Sequence, residues 1–311
     1  RTIRFMSTSV FSTAGDRRRR AVQIHCACLR TGVSTQTTGL STRETASAMP
    51  VARRLQPQPA VLPTAASAAV LAIAAIAALR PVLHNDFVNW DDPAVLLDNP
   101  HLATPGVVAW AFSTSLMGHY QPLAWLAWSA AKSSSGLSPA VFHALSLGVH
   151  VANPLVVYAV TMRLADGLGY RSSQVRVAAL FAGLLFAVHP VVVEPVAWAS
   201  AFPYVLSLFA LLLSFLAYLS QRPKTSLVLY AAASLTRATA LGYPVVLVIA
   251  DRYVLDRRRE DLRAQIVTKT PFVAIAALMA VAEWLSRDVA SLGEIGARGC
   301  GLVDVLADLA V

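Results

Sequence analysis

"AVLPTAASAAVLAIAAIAAL", residues 60–79, decides the fold class. It carries no charge and is about long enough to cross the hydrocarbon core of a bilayer as a helix. Further apolar segments follow at 139–162, 177–188, 203–219, 226–235, 240–250 and 271–285. Some are short for a crossing and need flanking residues, or burial among other helices. Of the 311 residues 56% are hydrophobic and 14% are charged. A soluble domain typically carries about 25% charged residues. Length alone allows one or two soluble domains. The charge deficit overrides that count and points to an all-α, polytopic transmembrane helical bundle.

The net charge of +9 raises the possibility of a nucleic-acid partner. Its distribution argues against one. The arginines gather in the N-terminal tail, in short loops and in "RRRE" at 257–260, without interleaved aromatics. Cys26, Cys28 and Cys300 are too few for a disulfide framework. "HCAC" at 25–28 is too tightly spaced for an ordinary zinc site and has no second ligand pair, so no metal is expected.

Three regions are expected. Residues 1–58 are rich in Arg, Ser and Thr, poor in large apolar side chains, and read as a basic tail that is either disordered or transit-peptide-like. Met49 is a candidate true start. Residues 59–285 form the membrane domain, with a long non-cytoplasmic loop at 81–138. Residues 286–311 read as an incomplete C-terminal segment, which makes the chain a C-terminally truncated fragment.

Basic residues set the orientation. The tail, 163–176, 221–224 and 251–263 are basic and belong inside. Segment 81–131 has four Asp and no Lys or Arg, and 189–202 has no Lys or Arg, so both belong outside with 235–239. Lys132 is a mild dissent. This alternation brings Asp91, Asp92, His189, Glu194 and Arg237 to one face, where polar groups at membrane depth are costly and often functional.

"FVNWDDPAVLLDNP", residues 87–100, sets paired carboxylates beside that face. Either Asp91 or Asp92 can serve as a general base for a hydroxyl acceptor. The competing reading is a turn followed by a helix, with Asp92 as N-cap, Pro93 at the first helical position and "NP" at 99–100 as its end. Capping accounts for Asp92 better than for Asp91. In "HPVVVEPVAW", 189–198, Pro190 breaks a crossing and a short interfacial helix follows. Glu194 then orients a ligand or makes a structural hydrogen bond. Arg237 binds a lipid phosphate or snorkels at a helix end. His143, Ser146, His150 and Asn153 share one helix face, and either line a cavity, as His119 is also expected to do, or join helices by hydrogen bonds.

The ordered series "FVNWDDPAVLLDNP", "YQPLAWLAW", "GLSPAVFHALSLGVHVAN", "FAVHPVVVEPVAW" and "SLTRATALGYPVVLVIADRY" resembles the membrane half of the transmembrane and tetratricopeptide-repeat O-mannosyltransferases and their bacterial relatives. The likeness covers about residues 84–255. It implies the C-type multi-spanning glycosyltransferase fold and a polyprenyl- or dolichyl-phosphate sugar donor. It further implies transfer, with mannose the expected sugar, to a hydroxyl acceptor such as a protein Ser or Thr, with no other cofactor. By the same likeness Asp91 and Asp92 take the acidic-motif positions and His189 and Glu194 those of the second loop, where with Arg237 they are expected to bind the phosphate-linked donor. Arg237 stands in place of a lysine. The expected location is the endoplasmic reticulum in a eukaryote, or the inner membrane in a bacterium. The chain departs from the pattern after Trp198, where Ala201 and Phe202 replace a charged pair, and at Arg237. No tetratricopeptide repeats follow within the sequence. Two alternatives stand beside the transferase: an inactive membrane scaffold and a transporter-like protein.

Overall fold

The computed structural model describes residues 63–170, 172–255 and 262–297. The basic tail, Met49, all three cysteines, "RRRE" and the chain beyond 297 lie outside the described residues.

Every regular element among the described residues is helical. Pro63 and Thr64 precede α1, Ala65–Leu79, and the Thr64 hydroxyl caps it by accepting from the Ser67 N–H at 3.2 Å. The first crossing therefore begins later than residue 60. It regains its length at the other end through the 3₁₀ turn Arg80–His84.

The expected loop 81–138 is largely folded. A single wide turn at Pro93–Leu97 and a 3₁₀ turn at Pro100–Ala103 lead to α2, Val107–Ser113, and α3, Pro122–Ser135. Trp125 and Trp128 on α3 are fully buried, with ring centroids 5.1 Å apart. They anchor an apolar cluster with Leu96, Leu102 and Phe142. Burying two indoles stabilises this end by several kcal/mol by area alone. Lys132 is no topology signal: its ammonium donates to the carbonyls of Leu96 (3.2 Å) and Asn99 (3.0 Å).

The long helix α4, Pro139–Gly167, spans roughly 44 Å and packs against α1, α5 and α7. Helix α5, Ser173–Val188, ends before Pro190, as the sequence implies. The chain then bends by 49° into a 3₁₀ turn and the short α6, Val193–Ala197. Gly183 lets α1, α4 and α5 meet. A Cβ there would lie 2.8 Å from a Leu71 methyl and 3.1 Å from the Pro154 carbonyl oxygen. Helix α7, Phe202–Leu219, pairs with α8, Pro223–Thr236, through serines: Ser207 Oγ donates to the Ala233 carbonyl at 2.9 Å and Ser214 Oγ to that of Ser226 at 2.7 Å. Helices α9, Tyr243–Tyr253, and α10, Leu262–Ala297, complete the bundle.

Four segments are long and apolar enough to cross a membrane, Ala65–His84, Pro139–Gly167, Ala199–Leu219 and Gln265–Arg287, or five if the bent pair at 173–197 is one span. Their outward residues are apolar, among them Ile73, Phe181 and Leu278. This is the surface of an integral membrane protein, because water would penalise it. The sequence treats 226–235 and 240–250 as two further crossings. At 14 and 11 residues, α8 and α9 are about 21 and 17 Å long, short of a bilayer core of about 30 Å. They are held instead against α7 and α10 through the aromatic cluster Tyr218, Tyr230, Tyr243 and Phe272.

The segments assigned to opposite sides by their basic residues gather at opposite ends of α4 and α7. At one end Asp92 meets Ser200, and Arg237 meets Gln121 and Tyr204. At the other, Arg163 donates to the Leu219 carbonyl at 3.2 Å, Gly167 abuts Val254, and Tyr218 donates to Asp251.

Candidate functional site

The acidic stretch is a tight turn. Asp92 is wholly buried, and both carboxylate oxygens are engaged. One accepts the Val88 N–H at 2.7 Å, and the other accepts the Ser200 N–H at 2.9 Å together with the Ser200 hydroxyl. The expected N-cap role is corrected here. Asp92 makes no capping bond to the Pro93–Leu97 turn. It reaches back across its own turn to the Val88 N–H and over to Ser200 at the start of α7. Asp91 is half-buried, and its side chain makes no hydrogen bond or ion pair among the described residues. The two neighbouring carboxylates thus differ in kind: one is a structural clamp and the other is available.

Beside this turn lies a cleft of about 540 Å³ lined by Asn85, Val88, Trp90, Glu194, Ala197 and Trp198. Trp90 immediately precedes Asp91 and is exposed. Glu194 is exposed on α6, the only carboxylate in the lining. His189 is exposed, and its Nδ1 accepts the Val191 N–H at 3.2 Å, which caps the turn Pro190–Val192. It does not line the cleft.

Arg237 follows α8 in extended backbone. Its guanidinium donates to Gln121 Oε1 (3.0 Å), His119 Nε2 (3.2 Å) and Tyr204 Oη (2.7 Å), and lies 4.4 Å from the Tyr204 ring centroid. Snorkelling does not describe this arrangement. Of five guanidinium N–H groups, three are occupied within the protein. His119 Nδ1 lies 2.8 Å from Glu283 Oε1 on α10, and the Tyr120 N–H donates to the other Glu283 oxygen at 3.4 Å. Two left-handed residues, Met117 (φ 59°) and Gly118 (φ 71°), reverse the chain just before His119. Ser200 and Tyr204 stand four residues apart, about 6 Å along a helix. One short segment therefore carries both the Asp92 clamp and the Tyr204 contact to Arg237.

The α4 histidines divide. His150 Nε2 lies 3.1 Å from the Ala187 carbonyl of α5, and Asn153 donates to the Val205 carbonyl of α7 at 3.4 Å, so both join helices. His150 and Asn153 also line a small cavity of about 100 Å³ with Tyr204. His143 is fully buried, with neither ring nitrogen bonded among the described residues, and Ser146 bonds within its own helix. Among the described residues no three His, Cys, Asp or Glu side chains converge as a metal site would require.

The sequence reading missed Gln121, Tyr204 and Glu283. Glu283 left a signal, since it is the only charge in the apolar run 271–285. Gln121 and Tyr204 left none. Compared with known proteins, the chain matches no family model, no curated protein and no solved structure.

Proposed function

We propose that this chain is a membrane glycosyltransferase of C-type architecture that moves a sugar, mannose in the first instance, from a polyprenyl- or dolichyl-phosphate donor to a hydroxyl acceptor such as a protein Ser or Thr. The observation that carries the reading is a division of labour at one end of the bundle. Among the described residues, Asp91 offers a carboxylate without a partner, while Arg237 keeps two N–H groups free and is braced by three neighbours.

The acceptor O–H bond breaks and its proton passes to Asp91. The acceptor oxygen attacks the anomeric carbon. The bond from that carbon to the phosphate oxygen breaks, and its electron pair leaves with the lipid phosphate. Arg237 stabilises the departing anion, because its fixed positive charge lies where negative charge develops. Charge counting puts this end on the non-cytoplasmic side, facing the endoplasmic reticulum lumen in a eukaryote or the periplasm in a bacterium.

The experiment is transfer from radiolabelled polyprenyl-phosphate mannose by purified protein in detergent. Asp91→Asn is expected to lower turnover by about a hundred- to ten-thousand-fold with folding unchanged. Full turnover in that variant would refute the base assignment. Absence of transfer by the wild type from any polyprenyl-phosphate sugar would refute the transferase reading.

A further inference from the structure

His119 stands between a cation and an anion. Arg237 Nη2 is 3.2 Å from its Nε2, and Glu283 Oε1 is 2.8 Å from its Nδ1. A guanidinium has no lone pair and can only donate, so Nε2 must be bare and accepting. Nδ1 must then carry the ring hydrogen and donate it to Glu283. A second tautomer would place a lone pair against the carboxylate. The carboxylate thus selects the one tautomer that can hold the guanidinium.

We infer that Glu283 is a positioning residue that acts on Arg237 through His119. The relay holds the guanidinium in one position, from which its charge meets the phosphate of a polyprenyl monophosphate. This last step rests on the glycosyltransferase reading, whereas the relay itself does not. Several features make the chain of contacts more than a surface ion pair. Glu283 is 15% exposed and His119 29%. The Tyr120 N–H holds the second Glu283 oxygen. Arg287 lies 3.6 Å from the first but is 69% exposed, so it contributes little. Gln121 and Tyr204 brace the guanidinium from other elements, and neither carries charge. The relay also ties α10 to the turn Leu116–Gly118 and so to the site, although Glu283 lies 46 residues beyond Arg237 in the chain.

Two measurements test this on the full chain. The first is the nitrogen spectrum of ¹⁵N-histidine-labelled protein, with His119 assigned by His119→Gln. The wild type is expected to carry the hydrogen on Nδ1. Glu283→Gln, which keeps an acceptor oxygen, is expected to preserve that state, and Glu283→Leu to lose it. Hydrogen on Nε2 in the wild type, or a Glu283→Leu spectrum identical to wild type, would overturn the relay. The second is binding of polyprenyl monophosphate in detergent micelles, compared in a double-mutant cycle. Arg237→Gln is expected to weaken binding about tenfold. Glu283→Leu is expected to weaken it several-fold in the wild-type background, with Glu283→Gln restoring most of the affinity. In the Arg237→Gln background, Glu283→Leu is expected to add no further loss. Additive losses would make Glu283 merely structural and overturn the inference. If the wild type bound no polyprenyl monophosphate, the phosphate orientation would fall with the transferase reading, while the nitrogen spectrum would still decide the relay.

Discussion

Asp92 accepts the backbone N–H of Ser200 at 2.9 Å, and its hydroxyl as well, across 108 residues of chain. That one carboxylate ties the loop after α1 to the start of α7 and leaves its neighbour free. Removing it deprives the Val88 and Ser200 N–H groups of the carboxylate that accepts them. Asp92→Ala is expected to lower stability by about 1.5–3 kcal/mol, the range for hydrogen bonds to a charged group. Asp91→Ala is expected to leave thermal unfolding in detergent unchanged. Equal shifts in the two variants would refute the division between clamp and available carboxylate.

Gly183 tests the packing of α1, α4 and α5. A methyl group there meets Leu71 at 2.8 Å and the Pro154 carbonyl at 3.1 Å. The leucine end can move, but the helix backbone cannot move without separating α4 from α5. Gly183→Val is expected to cost about 1–3 kcal/mol, the usual range for overpacking. Gly148 on α4 has nothing within 4 Å of its would-be Cβ. Gly148→Ala is expected to be neutral or slightly stabilising, since alanine favours helix. Unfolding midpoints of the two variants check both statements, and a harmless Gly183→Val would contradict the close approach.

The two ends of the bundle give a topological prediction. Single cysteines replacing Trp90 and Tyr170, both exposed, are expected to label from opposite faces of sealed vesicles, in a background where the native cysteines are replaced. The basic 163–176 end is expected on the cytoplasmic side. Labelling of both from one side would break the topology and separate Asp91 from any lumenal chemistry.

The helical class and the end-to-end grouping of loops were legible in the sequence, because charge scarcity and basic-loop alternation report directly on the solvent. The folded interior of 81–138 was not. Its signal lies in Trp125 and Trp128 on α3, whose burial depends on partners such as Leu102 and Phe142 that come from other elements. Helices α8 and α9 are short for a crossing and buried among other helices, as the sequence allows, and their length is set by Pro223, by the extended residue Arg237 and by the turn after it. At the site, Asp92 fits an N-cap by pattern, but the long-range Ser200 N–H outcompetes the local one. Lys132 looked like a topology error because its two carbonyl partners lie more than thirty residues upstream. Periodicity cannot register a pairing that only the closed fold creates.

The end opposite the site holds a buried ion pair. Lys269 Nζ donates to Asp251 Oδ2, with side-chain exposures of 7% and 2%. The other Asp251 oxygen accepts the Tyr218 hydroxyl at 2.7 Å, and the Lys269 ammonium lies 5.2 Å from the Tyr218 ring centroid. A cleft of about 370 Å³ opens beside the pair, lined mainly by Val248, Ile266 and Val273 with Gln265 and Thr270. In such surroundings the mutual attraction of the charges is offset by the cost of taking both from water, so the pair as a whole adds little net stability. Breaking it is another matter, because the remaining buried charge loses its oppositely charged partner. Asp251→Leu is expected to cost about 3–5 kcal/mol, and Lys269→Met a similar amount. The double variant Asp251→Leu with Lys269→Met is expected to recover most of that loss. Thermal unfolding of the wild type, the two single variants and the double variant in one detergent reads the coupling directly. Losses that simply add in the double variant would mean that the two charges do not compensate each other, and that the α9–α10 contact is held by its apolar neighbours alone.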